Sequence, residues 1–176
     1  MLISRRALLG GAAAACTIGR GVSGSAVLFA GCVLPESLAG FRSQRIGAES
    51  SNPHLVIIPA VESVRLAVIQ PFLDRGATVL LELCLADDRI RPEPYFPYVE
   101  YSWPIKAKIR EFAAASLGPA PGDRVIATYA GRPVALRRRV GRGTLVLLGS
   151  PLGPIFLSGD GDARRWLDAI TSWARS

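Results

Sequence analysis

Two apolar segments on either side of a helix-like stretch constrain the fold more than any other feature of this chain. Leu55–Pro59 is continuously apolar and rich in β-branched residues, and Ala77–Cys84 is apolar throughout except at Glu82. Strands that are buried on both faces have this composition. Between them, Val61–Gly76 has helical spacing and ends at a glycine. This order predicts a βαβ unit and an α/β fold, with a parallel sheet covered by flanking helices.

An antiparallel hairpin is predicted nearer the C-terminus. Arg124–Tyr129 and Arg132–Val140 read as strands, and a glycine lies in the two-residue connection between them. Tight hairpin turns favour glycine because their central residues have positive φ. The glycines of Gly141–Gly143 turn the chain again, into the apolar segment Thr144–Gly149.

Two further segments have the spacing of helices. Asp162–Ala174 is amphipathic, and either Ser158 or Asp160 is suited to cap its N-terminus. Ile105–Leu117 is ambiguous, because its apolar residues suit one helical face but also alternate with basic residues, as on a strand. We interpret Ile105–Leu117 as a helix.

Three pieces of the chain together resemble a known superfamily. They are Leu55–Pro59 leading into a helix, Phe72–Cys84, and Gly141–Pro151. In this order they resemble the class I glutamine amidotransferase-like superfamily, and especially divergent members such as the N-terminal domain of some biotin-protein ligases. The resemblance covers roughly residues 25–174 and implies a flavodoxin-like fold.

The same resemblance places Cys84 at the position of the catalytic nucleophile. The glycines that flank this cysteine in catalytic members are missing here, and Ser150–Gly153 replaces the expected histidine and acid. The single histidine, His54, precedes a predicted strand, whereas Cys84 ends one, so we expect the two residues at opposite ends of the strands. A thiol needs a base or a lowered pKa to react at neutral pH. We therefore expect a non-catalytic domain, the alternative being a hydrolase or transferase that uses Cys84 with Glu82 or Asp87.

Aromatic residues are concentrated after Cys84, where five of the thirteen in the chain fall between positions 95 and 103. Ligands of parallel α/β sheets bind beyond the carboxyl ends of the strands. The candidate ligand-binding residues in this segment are Asp87, Asp88, Tyr95, Tyr98 and Trp103. The alternative is a long connection whose aromatic side chains pack on the sheet edge.

The net charge of +7 is partly a property of the N-terminus, because Arg5, Arg6 and Arg20 precede the first acidic residue. Without them the net charge is +4. Six arginines crowd between positions 124 and 142. They are either a solvated hairpin face or an anion-binding surface, for which the candidates are Arg132, Arg137, Arg138, Arg139 and Arg142, together with Arg124.

The sequence favours some ligand classes over others. Aromatic residues of the kind that stack on bases are almost absent from the arginine-rich segment, so we do not expect a nucleic-acid partner. The single histidine and the scattered cysteines have no metal-ligand spacing, so we expect neither metal nor cofactor. The expected partner is an unidentified small ligand or a protein of the cell envelope.

The N-terminal segment predicts export. Ser4–Leu9 contains paired arginines before a short apolar run and resembles the twin-arginine signal of exported bacterial proteins. We therefore expect residues 1–24 to be an export signal, residues 25–176 to be the domain, and the location to be periplasmic or otherwise extracytoplasmic. Cys16 and Cys32 follow segments that weakly resemble lipoprotein processing sites, so contact with the membrane is expected only through the signal or a lipid anchor. Whether Cys32 pairs with Cys84 is left open.

Overall fold

The computed structural model of the chain describes residues 27–29, 42–43, 53–61, 66–83, 90–93, 98–110, 114–150 and 159–176. The strands in these ranges are β1 (Val27–Phe29), β2 (Arg42–Ser43), β3 (Leu55–Val61), β4 (Thr78–Leu83), β5 (Ile90–Glu93), β6 (Val99–Tyr101), β7 (Ala107–Ile109), β8 (Ala114–Leu117), β9 (Arg124–Tyr129), β10 (Arg132–Val140) and β11 (Gly143–Leu148). The helices are α1 (Leu66–Asp74) and α2 (Gly161–Arg175).

The described strands form a mixed sheet. Nine of them are ordered β2-β1-β3-β4-β11-β10-β9-β6-β7, and β5 pairs with β8 in a small second sheet. Four of the nine strand pairings are parallel, all of them between β2 and β11 in the sheet order. The other five are antiparallel. The predicted α/β, flavodoxin-like parallel sheet with flanking helices is therefore wrong.

Tight turns explain why the sheet is mixed and not parallel throughout. Parallel neighbours need a long crossover, and among the described residues α1 supplies one, between β3 and β4. Later in the chain, Ala130 and Gly131 have φ of 47° and 77°, the two positive values of a tight hairpin turn. The hairpin expected over Arg124–Val140 forms β9 and β10, but it lies inside the main sheet and extends it in antiparallel fashion.

Two local predictions also need correction. The helix predicted over Ile105–Leu117 is wrong, because this segment contains β7 and β8. In β7 the alternation of buried Ala107, exposed Lys108 and buried Ile109 follows the two-residue period of a strand. Strand β3 continues past Pro59, where the sequence predicts its end, and its pairing with β4 is irregular at this point. Irregular pairing tolerates a proline, which has no N–H to donate.

The core lies on both faces of the main sheet. On one face, α2 buries Trp166, Leu167 and Ile170, as its amphipathic spacing predicts. On the other face, α1 and β8 cover the sheet with Ile69 and Leu73 from the helix, and with apolar residues of the strand. The sheet therefore has a face towards α2 and a face towards α1.

The edge strand β7 is covered by the N-terminus of α2. The Lys108 N–H donates to Asp162 Oδ2 and the Arg110 N–H donates to Asp160 Oδ2, both at 3.0 Å. Asp160 also caps the helix, because its Oδ1 accepts from the N–H groups of Asp162 and Ala163 at 2.9 and 3.0 Å. Two carboxylates thus occupy outward N–H groups of a sheet edge that would otherwise be open to strand pairing.

Gly149→Ala should destabilise the domain, because there is no room for a methyl group where β8 crosses β10. An added Cβ would collide with the Ala115 carbonyl oxygen and lie 3.0 Å from that of Val134. We expect a loss of about 1–3 kcal/mol in the free energy of unfolding, measured by urea denaturation. Gly161→Ala is the matched control, since an added Cβ there has no neighbour within 4 Å. Equal stability of the two variants would contradict the packing described.

Asp162→Asn should lower the free energy of unfolding at neutral pH by an amount that disappears in acid. The Lys108 N–H, and next the Arg165 guanidinium, hold the pKa of Asp162 below its ordinary value of 3.8. Stability from a depressed pKa is present above the unfolded pKa and is lost as the pH falls through the folded pKa. Unfolding curves should therefore differ between the two proteins at neutral pH and should converge only as the pH falls below 3.8 and through the lowered pKa of Asp162 in the folded protein.

The control for this pH series is Asp168→Asn, which removes the same charge from the exposed side of the same helix. It should change stability little at any of these pH values. A deficit of Asp162→Asn that does not change with pH would argue against the contact between Asp162 and β7.

Candidate anion-binding site

Of the five predicted ligand-binding residues, the structure describes Tyr98 and Trp103. Cys84, Asp87, Asp88 and Tyr95 lie outside the described residues. Tyr98 is 42% exposed, and its ring lies 5.5 Å from both the Lys108 ammonium and the Arg110 guanidinium. Trp103 packs instead on the face towards α2. The structure therefore does not bring Tyr98 and Trp103 together.

The arginines of the hairpin are divided by the alternation of β10. Arg137 and Arg139 point to the face towards α2, and Arg138 points to the other face. Arg132 lies five residues before Arg137, about 17 Å away along the strand. Arg142 is exposed in the turn between β10 and β11. Of the five predicted anion-binding residues, only Arg137 and Arg139 therefore share a face and a neighbourhood.

Strand pairing adds a third arginine to this neighbourhood. In the register of β9 and β10, Arg124 lies directly opposite Arg137. In the register of β10 and β11, Arg139 lies opposite Thr144. These residues surround a cavity of about 340 Å³ that is lined by Gly122, Arg124, Arg137, Arg138, Arg139, Thr144 and Trp173.

Two tryptophans hold the side chain of Arg137. Its guanidinium carbon lies 4.5 Å from the ring centroid of Trp103 and 5.9 Å from that of Trp173. The two indoles are themselves in edge contact, with centroids 4.8 Å apart and an interplanar angle of 80°. Stacking of this kind contributes roughly 0.5–2 kcal/mol and restricts a side chain that is otherwise flexible. The cation of Arg137 is therefore oriented before any ligand arrives.

In the part of the chain that the structure describes, the positive charge of the three arginines is not compensated by a carboxylate. Arg124 and Arg137 are like charges opposite each other, an arrangement that destabilises a sheet. Partial burial, and next the charge of Arg124, lower the pKa of Arg137 below its ordinary value. Arg137 remains protonated at neutral pH, as arginines do. Among the described residues, no carboxylate forms an ion pair with Arg124, Arg137 or Arg139.

Arg138 is different, because Asp123 neutralises it. The guanidinium donates from Nε at 2.7 Å and from Nη2 at 2.9 Å to the two oxygens of the Asp123 carboxylate. The side chain of Asp123 is fully buried and also accepts from the Ala120 N–H. Arg138 therefore holds the start of β9 in place and contributes little charge to the cavity.

The sequence indicates the crowding of arginines but not the other parts of the site. Trp173 reads only as an apolar residue of α2, and Trp103 reads as part of an aromatic loop. Their contact with Arg137 depends on how α2 lies on the sheet, which no local pattern specifies. Helix amphipathicity is the one signal that points to Trp173, since it places this residue on the side of α2 that faces the strands.

A larger cavity of about 560 Å³ lies near the edge formed by β6 and β7. Its charged lining residues are two lysines and two acids, Lys106, Lys108, Glu100 and Asp162. These charges balance, so the cavity has no preference for ligand charge comparable to that of the arginine cluster. Within the described residues, no group of three His, Cys, Asp or Glu side chains is placed to hold a metal ion. No helix in the same part of the chain is long and apolar enough to cross a membrane.

No protein-family model matches this sequence, and no curated protein is similar to it. Solved structures do resemble it. A cold-adapted β-galactosidase from Rahnella sp. R3 aligns with a TM-score of 0.56 at 15% identity, over 77% of this chain and 25% of the enzyme. A polyextremophilic β-galactosidase from the haloarchaeon Halorubrum lacusprofundi aligns with a TM-score of 0.50 at 17% identity, over 73% of this chain and 24% of the enzyme. The N-terminal domain of mmIFT52 aligns with a TM-score of 0.51 at 14% identity, over 79% of this chain and 86% of that domain.

These likenesses show the fold alone, because every identity is below a fifth. This chain spans about a quarter of the length of the β-galactosidases that it resembles. The mixed sheet therefore occurs both within larger enzymes and in a separate domain of similar size, and no reaction is transferred by the comparison.

Arg124→Gln should stabilise the protein without ligand, and Arg138→Gln should destabilise it. The first change removes a like-charge contact, with a gain of about 0.2–1 kcal/mol at low salt that shrinks as salt screens the charges. The second leaves the buried Asp123 carboxylate without its partner, at a cost of about 1–3 kcal/mol. Urea denaturation at two salt concentrations measures both effects. A destabilising Arg124→Gln would contradict the charge arrangement described.

Proposed function

We propose that this domain is a non-catalytic module that binds an anionic ligand at the cavity formed by Arg124, Arg137, Arg139 and Trp173. The observation that carries the proposal is a cavity lined by three arginines that have no carboxylate partner among the described residues. Guanidinium groups bind carboxylates and phosphates through paired N–H donors, so the chemistry of the cluster matches an oxyanion.

The energetics of the cluster support this interpretation. Holding Arg124 opposite Arg137 costs stability in the ligand-free protein, and partial burial of Arg137 adds to the cost. An anion bound between the two guanidinium groups attracts both of them and offsets the repulsion between them. The contacts of Arg137 with Trp103 and Trp173 reduce the conformational entropy that is lost on binding.

The lining of the cavity supports binding rather than catalysis. Among the described residues, those that line it include four arginines and Thr144 but no acid, histidine or cysteine. A hydrolase or transferase would need a base beside its nucleophile. The alternative that uses Cys84 concerns a residue outside the described part of the chain, and no observation favours it over anion binding.

The proposed setting is the bacterial cell envelope. The twin-arginine-type segment at residues 1–24 supports export, and the net charge of +4 that remains without it suits a local anion site better than a broadly cationic surface. The resemblance to the class I amidotransferase-like superfamily stays a prediction from the sequence. In this proposal the ligand is a small anion of the envelope or an anionic group on an envelope component.

Arg137→Gln should weaken the binding of inorganic phosphate at least tenfold, as measured by isothermal titration calorimetry in a chloride buffer of constant ionic strength. Arg75→Gln is the matched control, because Arg75 is exposed and follows α1 on the opposite face of the sheet. It should bind phosphate as the native protein does. Equal losses in the two variants would show only a general effect of charge, and the proposal would then be wrong.

A further inference from the structure

The spacing of the three arginines contains information about the ligand. Arg124 and Arg137 are direct neighbours across two antiparallel strands, which places their Cα atoms about 4.5–5.5 Å apart. Arg137 and Arg139 are two residues apart on one strand, about 7 Å. The three guanidinium groups therefore start from the corners of a small triangle, with one closely spaced pair and one cation farther along β10.

The cavity has room for more than a single oxyanion. Its volume of about 340 Å³ is more than ten times the ~30 Å³ that a water molecule occupies in the liquid. The half-buried indole of Trp173 forms part of the wall and offers an apolar surface beside the cations. A ligand that fills this space therefore has a compact body in addition to its charged groups.

A long polyanion does not match the same geometry. A polymer such as a sulfated glycan needs cations that continue along a track. Beyond the triangle, Arg138 points to the other face and is neutralised by Asp123. Arg132 lies at the far end of β10, about 17 Å from Arg137. Among the described arginines of β9 and β10, those on the face towards α2 are therefore concentrated around one cavity.

We propose that the site binds a small ligand with two separate anionic groups about 5–7 Å apart, such as a bisphosphate or a phosphorylated carboxylic acid. We call such a two-group ligand a dianion, whatever its total charge. One anionic group lies between Arg124 and Arg137, and the second contacts Arg139. This inference rests on the proposed function, because it specifies the ligand of the same cavity. In this arrangement each of the three guanidinium groups contacts an anionic group, and each anionic group contacts at least one guanidinium group.

The test is calorimetric titration with a series of alkane bisphosphonates, from ethane to octane, beside inorganic phosphate as the single-anion reference. We expect affinity to peak at the propane or butane member, at least tenfold above that of phosphate, because these spacers match the separation of the arginines. Arg139→Gln should remove the peak, so that the best bisphosphonate binds no more tightly than phosphate. Arg75→Gln should keep the full profile.

The outcomes separate the two proposals. If phosphate binds but affinity is the same along the series, or rises steadily with chain length, the dianion inference is wrong and the anion site stands. If neither phosphate nor any bisphosphonate binds, both proposals fall. The dianion inference would also be wrong if heparin bound more tightly than the best bisphosphonate and if Arg132→Gln weakened heparin binding. The three arginines would then be part of an extended row of cations along β10.

Discussion

The pairing of β10 with its two neighbours is the constraint on which the rest of the structure depends. Its bonds to β11 join the antiparallel half of the sheet to the parallel half, and its bonds to β9 extend the sheet towards β7. The same register places Arg124 opposite Arg137 and Arg139 opposite Thr144. A shift of one residue would move these arginines to the face towards α1. Fold and candidate site thus share one set of backbone hydrogen bonds.

The arginines of β10 show how one sequence run serves two purposes. Arg138 pairs with a fully buried carboxylate and fixes the start of β9, so its contribution is to folding. Arg137 and Arg139, its immediate neighbours, face the opposite side and have no carboxylate partner among the described residues. Because adjacent residues of a strand point to opposite faces, neutralising the middle arginine leaves the charge of the outer two intact. The domain therefore retains local positive charge without losing the ion pair.

Sequence patterns predicted the elements of this fold better than their arrangement. Leu55–Pro59 and the glycine turns are local signals, and they identified β3 and the hairpin of β9 and β10 correctly. The apolar strands β3 and β4 do pair in parallel, but their composition says nothing about the later strands, whose pairings are antiparallel, and for this reason the flavodoxin-like sheet was a wrong inference. For the site, the crowding of arginines was visible in the sequence. The placement of Arg124 opposite Arg137 follows a register irregularity around Ala135, and the contacts of Arg137 with Trp103 and Trp173 depend on tertiary packing.

The mixed sheet also moves the site away from where a parallel sheet would place it. Ligands of parallel α/β sheets bind beyond the carboxyl ends of the strands, the end at which the chain leaves β4 after Leu83, one residue before Cys84. Arg139 instead pairs with Thr144, which pairs with Thr78 at the amino ends of the parallel strands. Because β10 runs against β11, its own carboxyl end lies there, and the arginines collect at that end. The length of β4, about 17 Å, therefore separates the anion site from Leu83 at the carboxyl end of that strand.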